Sequence, residues 1–230
     1  MPAEVRRLPR GRTRRRHPAA PAAALAAGLL LVGCTSGAEP PAAQPRPSSR
    51  ASSAAQRDLS GLPVAREFFC DRVDELDVET ALGGPVTGTA HYGNGDRVEI
   101  SPGYTDISHE YGCTYRGMDP AYARAWVYAR PVPPKEARGL ARAARREPGC
   151  RFPSSVGFGR PDLTSVCRVR PATEEDLPAV RVRMQGLFGG SWLTCELTLP
   201  AEGPTGGRDR ALDEARNWCA DLVSTVGARR

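Results

Sequence analysis

Residues 179–199 read AVRVRMQGLFGGSWLTCELTL, and this stretch decides the fold. Apolar and polar residues alternate on either side of Gly189-Gly190, first in VRVRM and then in LTCELTL. An alternation of period two is typical of a strand with one buried face, and a pair of glycines between two such runs predicts a tight turn. The stretch is therefore predicted to be an antiparallel hairpin with strands at 179–188 and 191–199.

Helices and further strands are predicted on both sides of this hairpin. Apolar residues recur at spacings of three or four through ALDEARNWCADLV, which predicts a helix over 208–226. Shorter helices are predicted at 71–82 and 135–146, and strands at 86–92, 97–101, 108–116, 122–131 and 163–170. The turn residues Gly93-Asn94-Gly95-Asp96 predict that the first two strands form a hairpin. The order helix, strands, helix, three strands, helix indicates an α+β fold with antiparallel sheet rather than a parallel α/β sheet.

The first 33 residues are typical of a secretory signal peptide. An arginine-rich head precedes the apolar run AAALAAGLLLV at 22–32. This run is too short for a membrane-spanning helix, which needs about 20 residues, but it suits the apolar core of a signal peptide. Arg14-Arg15-Arg16 leaves open export by the twin-arginine route.

The tetrapeptide Leu31-Val32-Gly33-Cys34 ends that run and resembles the lipobox of bacterial lipoproteins. The resemblance implies cleavage by signal peptidase II after residue 33 and a lipid on the Cys34 thiol. The chain then divides into a signal peptide (1–33), a lipidated N-terminus with a disordered spacer (34–60) and a single extracytoplasmic domain (61–230). The spacer is inferred from its Ala, Pro and Ser content. The expected location is the outer face of the cytoplasmic membrane, with the membrane as partner through the N-terminal lipid.

The charge distribution excludes one class of partner. The chain carries 32 Lys and Arg against 26 Asp and Glu. Seven of the arginines and a single acid lie in residues 1–33, so residues 34–230 carry as many bases as acids. Nucleic-acid binding needs a basic folded surface, and no nucleic-acid partner is expected.

Besides Cys34 the chain contains six cysteines, at Cys70, Cys113, Cys150, Cys167, Cys195 and Cys219. An even number in an exported domain predicts disulfides. No C-x-x-C pair is present, so a redox motif and a zinc ribbon lack their spacing. Six cysteines allow 15 connectivities; sequential pairing is favoured, and a bridge from Cys70 to Cys219 is the main alternative. We expect no metal and no cofactor.

The chain over about 65–226 resembles small cysteine-containing actinobacterial lipoproteins of unknown function. The residues that carry the resemblance are Phe69-Cys70-Asp71 and Tyr111-Gly112-Cys113-Thr114-Tyr115. In that group one cysteine starts an early helix and a second lies in a strand beside an aromatic residue. The resemblance implies no catalytic residue.

One strand carries candidate ligand-facing residues, Arg124, Trp126, Tyr128 and Arg130. If this face is exposed, its aromatic and basic side chains suit a sugar or an anionic cell-wall polymer; the alternative is burial under the final helix.

No known catalytic motif is present. The sequence therefore favours a non-catalytic ligand-binding, sensory or envelope-accessory domain. The alternatives are a hydrolase with an unrecognised site and a purely structural, partner-binding lipoprotein.

Overall fold

The computed structural model describes residues 58–101, 103–154, 157–171, 177–203 and 206–227. The predicted signal peptide, Cys34 and most of the predicted spacer lie outside these residues. The helices and strands are α1 (Glu75–Leu82), β1 (Gly88–Tyr92), β2 (Arg97–Ser101), β3 (Tyr104–Ile107), β4 (Glu110–Arg116), β5 (Tyr122–Tyr128), α2 (Pro134–Ala144), β6 (Cys150–Arg151), β7 (Asp162–Val169), β8 (Ala179–Phe188), β9 (Ser191–Pro200) and α3 (Arg208–Val226). A 3-10 turn at Cys70–Arg72 precedes α1.

Seven strands form an antiparallel sheet in the order β1-β4-β5-β9-β8-β7-β6, and β2 pairs with β3 separately. The predicted hairpin at 179–199 is present as β8 and β9, with Phe188 opposite Ser191. Gly189 and Gly190 both adopt positive φ in the turn between them. Because the helices are separated by runs of antiparallel strands, the predicted α+β fold is confirmed.

The two faces of the large sheet differ in what covers them. On the packed face, α1 and α3 lie over small and aliphatic side chains such as Ala125, Val182 and Leu197, all fully buried. The opposite, polar face carries the other set of alternating side chains. There α2 packs on β7 and β8, in a smaller apolar cluster around Leu187 and Trp192. The rest of the polar face holds charged and aromatic residues.

Three disulfides join the cysteines in sequential order: Cys70–Cys113, Cys150–Cys167 and Cys195–Cys219. The favoured pairing is therefore confirmed and the Cys70–Cys219 alternative is wrong. The first and third bridges fasten the 3-10 turn and α3 to the packed face, while the second links the paired strands β6 and β7.

The predicted hairpin between residues 86–92 and 97–101 is wrong. The turn itself forms, because the Asp96 carboxylate accepts a hydrogen bond from the Gly93 N–H at 2.6 Å. The backbone bonds of the turn then run to Ser108 instead of into a ladder between β1 and β2. Five residues of β1 pair with β4, so a partner distant in sequence outweighs the local turn signal.

The folded domain begins before residue 61, which corrects the predicted end of the spacer. Leu59 is 4% exposed and packs in the main core, and its N–H donates to the Gly157 carbonyl at 2.9 Å. Further on, the Ser191 hydroxyl donates to the Val64 carbonyl at 2.6 Å. The N-terminal segment is thus bound to the loop before β7 and to the β8–β9 turn.

Other element bounds differ slightly from those predicted. α1 begins at Glu75 rather than at residue 71, because Asp74 caps the helix by accepting a hydrogen bond from the Leu76 N–H. β4 begins at Glu110 rather than at residue 108, and His109, which precedes it, is exposed. The short strands β3 and β6 were not predicted. No helix among the described residues is long and apolar enough to cross a bilayer.

Candidate functional site

An open groove of about 1050 Å³ lies on the polar face beside β1, β4 and β5, with the β2–β3 hairpin at its other side. The groove is lined by Ala90, Tyr92, Asn94, Val98, Glu99, Asp106, Ile107, Ser108, His109, Glu110, Thr114, Arg116, Tyr122, Arg124, Tyr128, Ala129 and Arg130. Alternation along each strand explains the composition, because residues such as Ala123 and Ala125 face the core while their neighbours face the groove.

Three side chains at the floor of the groove form a hydrogen-bonded triangle. The Tyr92 hydroxyl donates to Glu110 Oε1 at 2.5 Å and accepts from Arg124 Nη2 at 2.5 Å. Arg124 Nη2 also lies 3.2 Å from Glu110 Oε1. Each member thus fixes the other two, which gives the groove a preorganised polar floor.

The electrostatics of the triangle keep the tyrosine neutral and the arginine charged. Burial, followed by the hydrogen bond to Glu110, raises the pKa of Tyr92 far above its ordinary value. Burial favours the neutral form of Arg124, but the hydrogen bond to Tyr92 and the charge of Glu110 outweigh it and raise the Arg124 pKa. These groups therefore present fixed donors and acceptors at neutral pH rather than a group poised to exchange a proton.

Gly112 is the residue that allows Tyr92 to lie flat across β4. The two are register partners, and a Cβ built on Gly112 would lie 2.3 Å from the Tyr92 ring. The ring therefore occupies the space that any other residue at 112 would fill. Without this close approach, the Tyr92 hydroxyl would not reach Glu110 and Arg124.

Trp126 shares the polar face of β5 with Arg124 but is not among the residues that line the groove. The guanidinium carbon of Arg124 is 4.4 Å from the centre of the Trp126 ring, and that of Arg183 is 6.0 Å away. These distances are within the range of cation–π attraction. Trp126 therefore lies between the guanidinium groups of Arg124 and Arg183 and connects the groove to the charged side chains of β8.

A second ionic network continues across β8 and β9. Glu196 is 8% exposed and accepts from Arg183 Nε and Nη2 at 2.7 and 2.6 Å. Arg183 Nη1 also lies 3.4 Å from Glu147, which pairs with Arg181 as well. The network satisfies its charges internally, so it stiffens the sheet beside the groove rather than offering a free charge.

Two tyrosine hydroxyls and one guanidinium group in the groove can still form hydrogen bonds or ion pairs with a ligand. The structure shows no hydrogen-bond partner for the hydroxyls of Tyr122 and Tyr128 among the described residues, and both side chains are half-buried. Arg116 is exposed and has no ion-pair partner in the described part of the chain. Arg130, by contrast, makes a bidentate ion pair with Glu136 of α2 at 2.5 and 3.1 Å.

The groove has polar groups but no assembled nucleophile and base among its described residues. Ser108 is buried, and its hydroxyl donates to the Glu110 carbonyl at 2.9 Å instead of bonding to the adjacent His109. The Glu99 and Asp106 carboxylates accept hydrogen bonds from nearby backbone N–H groups. The groove therefore suits noncovalent binding of a ligand through its arginine, tyrosine and carboxylate side chains.

One cluster elsewhere has the composition of a metal site but not its chemistry. Ligand atoms of Glu147, Cys150 and Cys167 lie within 4.8 Å of one another. The two sulfurs are bonded to each other in a disulfide, so they are not thiolate ligands.

Of the four predicted ligand-facing residues, Arg124, Tyr128 and Arg130 line the groove, while Trp126 lies on the same face and contacts Arg124. The alternative of burial under the final helix is wrong, because α3 packs on the opposite face. Sequence reasoning missed the contributions of Tyr92 and Glu110, since they depend on the pairing of β1 with β4 and of β4 with β5. Tyr122 was accessible from sequence, because it shares its face with Arg124 by strand alternation.

The chain was compared with protein-family models and with curated proteins. No protein-family model matches the chain. No curated protein matches it either.

Proposed function

We propose that this chain is a lipid-anchored extracytoplasmic binding protein, whose ligand is a cell-envelope carbohydrate held in the groove of the polar face. The anchor would be Cys34, behind the lipobox-like tetrapeptide at 31–34. Three disulfides support an oxidising compartment for the folded domain. The lipid would hold the protein at the outer face of the cytoplasmic membrane.

The observation that carries the binding proposal is the open groove with two unpartnered tyrosines above a fixed polar floor. Tyr122 and Tyr128 offer aromatic surface and hydroxyls, and a sugar ring has both apolar C–H faces and equatorial hydroxyls. The Tyr92–Glu110–Arg124 triangle adds charged hydrogen-bonding groups that need no rearrangement. Such preorganisation reduces the entropy lost on binding.

Charge balance favours a neutral or zwitterionic saccharide over a polyanion. The groove is lined by three arginines, Arg116, Arg124 and Arg130, and by three acids, Glu99, Asp106 and Glu110. Two of the arginines are already paired, one inside the groove and one with α2. A highly charged ligand would therefore meet as many repulsive groups as attractive ones.

The proposal is tested by titrating the mature chain with soluble peptidoglycan fragments in a calorimeter. We expect Tyr122→Ala to weaken binding about 10-fold or more, as for truncation of a contact aromatic. Tyr104→Ala is the matched control, because Tyr104 is 58% exposed on β3 and does not line the groove. Arg116→Gln provides a second groove variant on an exposed side chain.

Equal effects of Tyr122→Ala and Tyr104→Ala would contradict the assignment of the groove. An absence of binding by the unmodified chain to every fragment would reject the carbohydrate ligand. Release of shortened fragments during the titration would instead favour the hydrolase alternative.

A further inference from the structure

The folded domain separates its charges along the chain. Residues 58–129 carry twelve acids against five bases, whereas residues 130–170 carry ten bases against three acids. The acidic part includes α1, where Asp74, Glu75 and Asp77 are exposed. The acids at the start of α1 lie on the side of the packed face, whereas α2 lies on the polar face, where Glu99, Asp106 and Glu110 line the groove beside β1, β4 and β5.

The basic residues of α2 form one outward stripe. Four exposed cations recur at spacings of three or four, which places them on one side of a helix. They are Lys135, Arg138 and Arg142 within α2 and Arg145 at its C-cap. The opposite side of α2 packs on the sheet through side chains such as Ala137 and Ala141. The helix is therefore fixed by its apolar side while its cations point to solvent.

These cations have no acidic partner within the described residues. The three acids of residues 130–170 are already engaged, since Glu136 pairs with Arg130 and Glu147 with Arg181 and Arg183. The third, Asp162, accepts a hydrogen bond from the Phe158 N–H. Positive charge continues beyond the helix, at Arg151, Arg168 and Arg208. Desolvation lowers the pKa of Arg208 most, and the positive charges of Arg168 and Arg151 lower it further. The stripe is therefore a cationic surface whose neighbouring acids pair with other arginines.

The N-terminal chain joins the domain next to the elements that carry α2. Asp58 pairs with Arg160 at 2.9 Å, and the Arg160 N–H donates to the Leu187 carbonyl. Leu187 belongs to the apolar cluster beneath α2. A tether that ends at Asp58 therefore attaches beside Arg160, at an edge of the domain near the end of β8, while Leu59 enters the main core.

We propose that the cationic stripe of α2 docks the domain on an anionic lipid bilayer. The orientation rests on the proposed anchor at Cys34, because the 23 residues from 35 to 57 would hold Asp58 within about 30 Å of the bilayer if they behave as a coil. Each Lys or Arg near an anionic bilayer contributes about 1 kcal/mol. Tethering raises the local concentration of lipid, so a modest affinity suffices.

The test uses the mature chain with Cys34→Ser, so that no lipid is attached and the result does not depend on lipidation or on the groove. Binding is measured by flotation with vesicles of phosphatidylcholine alone and of phosphatidylcholine mixed equally with phosphatidylglycerol. We expect binding only to the anionic vesicles. Raising NaCl from about 0.1 M to about 1 M should abolish it, because the Debye length falls from about 10 Å to about 3 Å.

The decisive variant combines Arg138→Gln, Arg142→Gln and Arg145→Gln, which keeps helix propensity. We expect about 100-fold weaker binding to anionic vesicles, the equivalent of about 1 kcal/mol for each arginine. The matched control changes the exposed residues Arg66, Arg97 and Arg210 to Gln, which removes the same charge from outside the basic segment and outside the groove.

The three-lysine variant of the same α2 positions should retain binding, which separates a loss of charge from a loss of folding. Equal weakening by the α2 variant and its control would overturn the proposal, because binding would then follow net charge alone. Retention on a soluble polyanion without any binding to anionic vesicles would overturn it as well. A change in sedimentation of the α2 variant without a change in flotation would point to self-association and refute lipid docking.

Discussion

Replacing Cys195 and Cys219 together by alanine tests the way the C-terminal helix is held on the sheet. Cys195 lies on the packed face of β9 and Cys219 on the inner side of α3, and both are fully buried. Their bond joins the middle of a 19-residue helix to the centre of the sheet. The double substitution removes the bond without leaving an unpaired thiol.

The size of the effect follows from loop length and burial. The bridge closes a loop with a sequence separation of 24 residues, for which chain entropy gives about 3.5 kcal/mol. Removing two buried sulfurs adds about 1 kcal/mol each, as for other small deletions in a core. The expected loss of about 5.5 kcal/mol compares with a typical unfolding free energy of about 5–15 kcal/mol.

Urea unfolding followed by circular dichroism, under non-reducing conditions, measures this loss. The matched control is Cys150→Ala with Cys167→Ala, which removes a bridge with a separation of 17 residues whose first cysteine is only half-buried. We expect the control to lose about 3 kcal/mol, mainly from loop entropy. A loss below about 1 kcal/mol for the Cys195 and Cys219 variant would refute the reasoning, because neither loop entropy nor core packing would then act through this bridge.

Three further outcomes are expected. Gly112→Ala should displace the Tyr92 ring and reduce the unfolding free energy by about 1–3 kcal/mol in urea titrations, since its Cβ would overlap the ring; an unchanged midpoint would contradict the close approach. Burial raises the pKa of Tyr115 from 10.0 to about 12, so stability should be complete below about pH 10 and fall as the pH rises toward 12. Tyr115→Phe should flatten that decline, and an equal slope in both proteins would exclude Tyr115 as its source. Cys34→Ala should abolish palmitate labelling and make any remaining membrane partitioning removable by about 1 M NaCl, and a labelled variant would reject the proposed anchor.

Sequence patterns predict the elements whose residues alternate or repeat without interruption. The bounds predicted for β8 and α3 agree with the structure, because both faces of β8 and the buried stripe of α3 are unambiguous in the sequence. The pairing of β1 was not predictable in this way. Its strong local turn at Gly95 argued for β2, whereas the actual partner β4 follows the β2–β3 hairpin in the chain and is chosen by its fit to the sheet.

The candidate site shows the same division between local and distant information. Strand alternation alone places Arg124 and Tyr128 on one face. It does not show that Tyr92 reaches Arg124, because that contact needs three neighbouring strands in register and the missing side chain of Gly112 between them. Nor does the pattern reveal that α2 rather than α3 lies on this face, since either helix has an apolar side suited to a sheet.

The most direct test of the central proposal locates the ligand on the protein. The mature chain, labelled with nitrogen-15, is titrated with a soluble peptidoglycan fragment while its amide resonances are followed by NMR. The binding account predicts that the largest shifts belong to β1, β4 and β5 around Tyr92, Glu110 and Tyr122, with the amides of α3 unchanged. Shifts concentrated on α1 and α3, or no shifts with any fragment, would contradict it.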